Sequence, residues 1–129
     1  MARLILDTDT LIQLDRDGGA ATGISESDDI AIAAITLAEL RHGVVAADAR
    51  RRPARERFVA DVEETVEVLP YTRATAAEHA VLLDVVRRTG TPRGAHDLII
   101  AAHARQTGRQ IVSLDLKARF GDLPGVTTA

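Results

Sequence analysis

Ile30-Ala31-Ile32-Ala33-Ala34-Ile35-Thr36-Leu37-Ala38-Glu39 is the stretch on which the fold turns. Its first six residues are apolar without alternation. A strand of that kind is covered on both faces, as strands of a parallel sheet are. From Thr36 the reading changes to helix, running to about residue 47, with Thr36 and Glu39 spaced as a capping box.

The same alternation repeats on either side. Arg3–Leu6 reads as a strand ending in Asp7-Thr8-Asp9-Thr10, and a helix from Thr10 to Asp15 is closed by Gly18-Gly19. Residues 20–29 read as a polar loop. After Arg50-Arg51-Arg52, Pro53 suits the first turn of a helix carrying Phe58, Val59, Val62 and Val66 at helical spacing. Residues 66–69 form a short strand closed by Pro70. Residues 75–88 predict a helix whose apolar face is Ala76, Ala80, Leu83 and Val86. Residues 95–106 are apolar nearly all round, which predicts a buried helix ended by Gly108. A strand over 110–114 leads to Asp115, and a last strand is expected at 126–128. Short strands alternating with helices predict an α/β fold: one domain over 1–129, with a short, mostly parallel central sheet flanked by helices.

Composition narrows the function. There is no cysteine, so disulfides, thiolate nucleophiles and cysteine zinc sites are excluded. Aromatics are 2 %, which nearly excludes base stacking on an aromatic platform. Net charge is −3, so any hold on nucleic acid is local or metal-mediated rather than by bulk charge. The apolar run at the start is too short for a signal or membrane segment, and a cytoplasmic protein is expected.

In parallel sheets, sites form beyond the carboxyl ends of the strands. Asp7, Glu39 and Asp115 all fall there, and Asp97 falls in the first turn of the apolar helix. Each has a plain structural reading. Asp7 and Asp115 suit N-caps, Glu39 completes a capping box, and Asp97 complements a helix dipole. Together they suggest more. A carboxylate on an apolar helix is costly unless something positive compensates it. A hard divalent cation answers all four charges, and oxygen ligands select Mg²⁺ or Mn²⁺. Such a site suits phosphoryl chemistry without a Ser, Cys or His nucleophile.

These residues resemble a known family. Leu4-Ile5-Leu6-Asp7-Thr8-Asp9 resembles the opening of PIN-domain proteins. Ile35-Thr36-Leu37-Ala38-Glu39-Leu40-Arg41-His42-Gly43, Gly94-Ala95-His96-Asp97-Leu98-Ile99-Ile100-Ala101-Ala102 and Val112-Ser113-Leu114-Asp115 are similar to its later motifs, in order and spacing over essentially the whole chain. The motif forms resemble those of VapC toxins of bacterial toxin–antitoxin pairs. The resemblance implies a three-layer PIN fold and Mg²⁺- or Mn²⁺-dependent endonucleolytic cleavage of RNA. It also implies a homodimer and a VapB-like antitoxin. Asp7, Glu39 and Asp97 fall on the family's metal-binding acids, and Asp115 on a position that is Asp or Asn in the family. Thr8, Asp9 and Thr36 are the groups expected to orient the ligands. Asp9 replaces the more usual Asn or Ser, and is expected to point away as a cap.

Arg93 and Arg119 adjoin the third and fourth motifs and are candidates for holding a phosphate. Arg50, Arg51, Arg52, Arg55 and Arg57 form a basic run, read as a solvated helix start rather than an RNA contact. His42 is expected to border the cleft or a dimer contact, His96 and His103 to lie at helix ends without chemical roles, and His79 at the surface. Surplus apolar surface on 37–47 and 54–66 suggests a groove for an antitoxin segment. Two alternatives stand: a metal-dependent phosphoesterase acting on DNA or small substrates, and a non-catalytic PIN-like binding module.

Overall fold

Four strands form one sheet in the computed structural model, which describes Met1–Ala129. They are β1 (Arg3–Leu6), β2 (Asp29–Ala33), β3 (Glu67–Leu69) and β4 (Gln110–Val112), in the order β3-β2-β1-β4, and every pairing is parallel. The chain builds outward from β1 to β2 and β3, then returns to place β4 on the other side of β1. The order therefore reverses between β1 and β4, and the crevice at their carboxyl ends is where an open α/β sheet binds its ligand.

Helices cover both faces. Leu4, Leu6, Ile32 and Val112 pack with Leu11 of α1 (Thr8–Asp17), Leu40 of α2 (Ala34–Val45), and Val59 and Val62 of α3 (Arg52–Thr65). Ile5, Ala31, Ala33 and Ile111 pack the other way. They meet Leu82 of α4 (Arg73–Thr89), the Ala101, Ala102 and Ala104 ridge of α5 (Ala95–Thr107), and Phe120 and Leu123 of the tail. Alanines on both β2 and α5 let the helix lie close against the sheet at β2 and β4, which explains how a chain with 2 % aromatics closes its core. No helix is long and apolar enough to cross a membrane.

Several elements differ from the sequence reading. β2 stops at Ala33, which is the N-cap of α2, and no side chain caps that helix. Thr36 is therefore the third residue inside α2, fully buried, and the capping box with Glu39 does not form. β4 ends at Val112 instead of residue 114, because side chains take the next donors: Leu114 N–H goes to Thr10 Oγ1 (3.1 Å) and Asp115 N–H to Ser113 Oγ (3.1 Å). The expected last strand is only a bridge between Ile111 and Thr128. Asp9 does not cap α1; Asp7 does, and Asp9 sits exposed in the first turn. The buried face of α4 is also displaced. It holds Thr75 and Leu82, with Ala76, Ala80 and Leu83 exposed, because Thr75 bonds Gln106 on α5 (2.5 Å) and fixes the helix rotation. The basic run does more than start a helix. Arg52 donates to Val44 O and Ala47 O, and Arg55 to Gly43 O, closing the carbonyl end of α2.

Candidate metal centre

The carboxyl ends of β1 and β4 place the first group. Asp7 is 8 % exposed and caps α1 by accepting Thr10 N–H at 3.1 Å through Oδ1. Its Oδ2 accepts the Ser113 hydroxyl. Ser113 Oγ in turn accepts Asp115 N–H, so one serine ties the two acidic positions together. The sequence reading did not single out Ser113; its place inside the fourth motif was the available signal. Asp115 caps the short turn Leu116–Ala118 by accepting Lys117 N–H at 3.0 Å, and it is exposed.

Helices bring in the second group. Glu39 lies in the second turn of α2, half-buried, and pairs across the cleft with His96 Nδ1 of α5 at 3.1 Å. His96 thus has a partner in the site, contrary to the expectation of no role there. His42 is exposed, and no polar contact ties it to the cluster. Asp97 occupies the first turn of α5, and its carboxylate folds back over Gly94. A β-carbon at position 94 would stand 3.0 Å from Asp97 Oδ2, so glycine makes room for that orientation.

Electrostatics mark the four acids as neighbours. The Asp97 pKa is raised above its ordinary 3.8, first by burial, then by the charges of Asp115, Asp7 and Glu39; His96 opposes the rise. Asp7, Glu39 and Asp115 are turned onto protein partners, and no three acidic or histidine groups converge as placed around one ion. The donor chemistry still fits a hard cation: four carboxylates of one neighbourhood, while the Thr8 and Thr36 hydroxyl oxygens, next to Asp7 and three residues before Glu39 in the chain, are buried and lack any hydrogen-bond partner. The two threonines expected to orient ligands are thus the ones with free hydroxyls.

Of the two candidate arginines, Arg93 has protein partners and Arg119 has none. The Arg93 Nη1 holds the Ala118 and Arg119 carbonyls, the latter at 2.7 Å, so it braces the turn after Asp115. Arg119 is exposed, and its guanidinium makes no hydrogen bond or ion pair with the chain.

A cleft of about 510 Å³ leads away from Glu39 and Thr8 between α1, α2 and α3. Ile12, Leu40, Phe58 and Val59 line it, and Asp15, Arg16 and Arg55 edge it. It lies where the apolar surplus of the α2 and α3 segments was expected.

Known proteins share this architecture. The family model for the PIN domain matches residues 4–124. The chain belongs to the PIN domain family. A tRNA(fMet)-specific endonuclease VapC of Salmonella typhimurium is 36 % identical over 98 residues, spanning 74 % of this chain and 70 % of the relative. A ribonuclease VapC of Rickettsia bellii is 30 % identical over 115 residues, spanning 88 % of this chain and 86 % of the relative. Among solved structures, a DNA-bound VapBC of Salmonella typhimurium superposes with a TM-score of 0.84 at 28 % identity, covering 100 % of this chain and 98 % of the other.

Proposed function

We propose that this chain is the ribonuclease of a toxin–antitoxin pair and that it hydrolyses RNA phosphodiester bonds with Mg²⁺, or Mn²⁺ in its place. The observation that carries the reading is Asp97: a half-buried carboxylate with a raised pKa, set among three others. The curated relatives named as VapC nucleases support it. Asp7, Glu39 and Asp97, helped by Asp115, would hold the ion. When bound, the ion supplies positive charge to the attacking water and to the leaving oxygen of an in-line displacement.

The chain's own groups do the positioning. Ser113 and the Thr10 N–H fix both oxygens of Asp7, so its orientation costs little on binding. His96 holds Glu39 from across the cleft. The free hydroxyls of Thr8 and Thr36 can accept or donate beside the acids as the charge changes. An antitoxin segment laid in the cleft between α1, α2 and α3 would end against Glu39 and block the site, which is the proposed inhibition. The exposed Ala76, Ala80 and Leu83 face of α4 is the proposed homodimer contact, and the pair is proposed to act in the cytoplasm.

The test is cleavage of structured RNA, with single-stranded DNA and a nucleotide ester in parallel. Cleavage with Mg²⁺ should cease in EDTA and in Asp7→Asn and Asp97→Asn. Full cleavage by both variants would remove the four acids from the chemistry. Turnover of DNA or the ester alone would favour the broader phosphoesterase reading. No cleavage and no change of thermal midpoint with any divalent cation would favour a binding module.

A further inference from the structure

A second cleft adjoins the acids on the β4 side, and the proposed chemistry leaves it unused. It encloses about 360 Å³ between the α1–β2 loop, the carboxyl end of β4 with the turns after it, and Thr128. Ser113 and Asp115 form part of its wall, so it is continuous with the candidate metal centre. Arg119 lines it as well and is the only non-glycine residue at positive φ, with φ 46° and ψ 48°. A residue bearing a β-carbon adopts that conformation at a cost, and such strain persists where the surroundings impose it. Here Arg119 caps the Leu116–Ala118 turn by donating its N–H to Leu116 O, and Arg93 holds the Ala118 and Arg119 carbonyls on either side of its α-carbon. The strained residue thus presents a guanidinium with no protein partner, and it is the one arginine on the wall of this cleft.

We propose that this cleft is a nucleotide subsite that holds the RNA strand next to the scissile bond, with Arg119 on a backbone phosphate. The inference deepens the ribonuclease reading and rests on it. Asp115 shares the wall, so a small free anion is disfavoured; the occupant needs an apolar face as well as a phosphate. A nucleotide within a strand has both. Leu116, 87 % exposed, and Phe120 supply apolar wall, and the Thr22 and Thr128 hydroxyls supply polar contacts. An arginine–phosphate contact also answers the net charge of −3, because it places the cation locally where the bulk protein offers none.

The test measures binding of a fluorescein-labelled single-stranded oligouridylate by anisotropy in EDTA, where cleavage is silent. Arg119→Gln should weaken binding about fivefold to tenfold at low salt and lower the salt slope by about one. Arg119→Lys, which keeps the charge, should recover most of the affinity. Arg3→Gln, at the opposite end of the sheet, is the charge-matched control and should bind like the parent. Arg119→Gly should weaken binding like Gln yet raise the thermal midpoint by about 3 °C, because it relieves the positive φ. Parental binding by Arg119→Gln, or an equal loss in Arg3→Gln, overturns the subsite. No parental binding in EDTA overturns it too. Asp97→Asn separates the two claims: if it binds but no longer cleaves while Arg119→Gln binds normally, only the subsite falls; if it cleaves normally, the reading beneath it falls.

Discussion

Replacing Arg109 by Met should cost about 3 kcal/mol of stability. Arg109 stands just ahead of β4 and is 3 % exposed. Its Nη1 donates to Leu4 O (3.1 Å), Asp29 O (3.0 Å) and Asp29 Oδ1 (3.1 Å), and its Nη2 to Glu67 Oε2 (2.9 Å). One guanidinium therefore joins the amino ends of β1, β2 and β3 to the start of β4, at the end of the sheet away from the acids. The two carboxylate arms are weak contributors, since Asp29 and Glu67 side chains are 40 % and 58 % exposed; each is worth roughly 1 kcal/mol or less. The backbone carbonyls dominate. Methionine leaves the Leu4 and Asp29 carbonyls with their partners in the β1–β2 ladder, so the loss is that of the charged-donor bonds, worth about 1.5–3 kcal/mol. Three acceptors share Nη1, and Nε is already buried without a partner, so these sum to about 3 kcal/mol rather than more. Urea unfolding should show a lower midpoint at unchanged slope. Glu67→Gln should cost under about 1 kcal/mol, and Arg109→Lys should lose most of the benefit, because an ammonium cannot serve Leu4 O and Glu67 together. A loss under about 1 kcal/mol for Arg109→Met, or equal losses for Arg109→Met and Glu67→Gln, would refute the carbonyl assignment.

Asp97→Asn should stabilise the protein in EDTA at neutral pH. A carboxyl raised above 3.8 in the folded state binds protons more tightly there, so its contribution is present below 3.8 and lost as pH rises through the raised value. Melts at a series of pH values should therefore show the variant overtaking the parent across that window; a constant difference at all pH would contradict it. His103 has the opposite sign. It is 1 % exposed with both ring nitrogens unpartnered and packs edge-on to Tyr71; burial, then the charge of His79, lowers its pKa from 6.5. Its neutral form stabilises the fold above 6.5, and that stability is lost as pH falls towards the lowered value. His103→Phe should flatten the loss of melting temperature below about pH 6.5, and an unchanged slope would assign it elsewhere. Thr36→Val should raise stability in EDTA by about 1 kcal/mol, by removing a buried hydroxyl without a partner, and weaken Mg²⁺ binding about tenfold or more. Denaturation in EDTA and a Mg²⁺ titration of the melting temperature read the two effects, and an unchanged Mg²⁺ response would take Thr36 out of the site.

Periodicity made the parallel sheet legible. An unbroken apolar run marked β2, all-round apolarity marked α5, and Pro53 marked the first turn of α3. The rotation of α4 was not legible, because alanines at 76 and 80 are nearly neutral between core and solvent. The deciding contact, Thr75 with Gln106, joins a polar pair from two helices. Arg109, Ser113 and His96 escaped for a related reason: each is a single polar residue whose partner lies far along the chain, and pattern reading sees only near neighbours. In hindsight, an arginine directly ahead of a buried edge strand and a serine between two apolar residues of a motif were the available signs.

Local structure and ligand chemistry compete as explanations for each acid, and the observed hydrogen bonds separate them. For Asp7 and Asp115 the cap is real, so the cap alone does not argue for chemistry. A cap and a ligand are nevertheless compatible, because Asp7 spends Oδ1 on the helix and Oδ2 on a hydroxyl that can turn away. Glu39 was the acid that a capping box explained completely. With α2 starting at Ala34, that explanation is gone: Thr36 is inside the helix with a free hydroxyl, and Glu39 reaches to another helix. Asp97 has no compensating partner beyond a neighbouring imidazole, and burial, then three like charges, raise its pKa. The two helical acids therefore carry the metal argument, because α2 and α5 hold unfavourable charge beside free hydroxyls, and only a ligand of opposite charge turns that cost into binding energy.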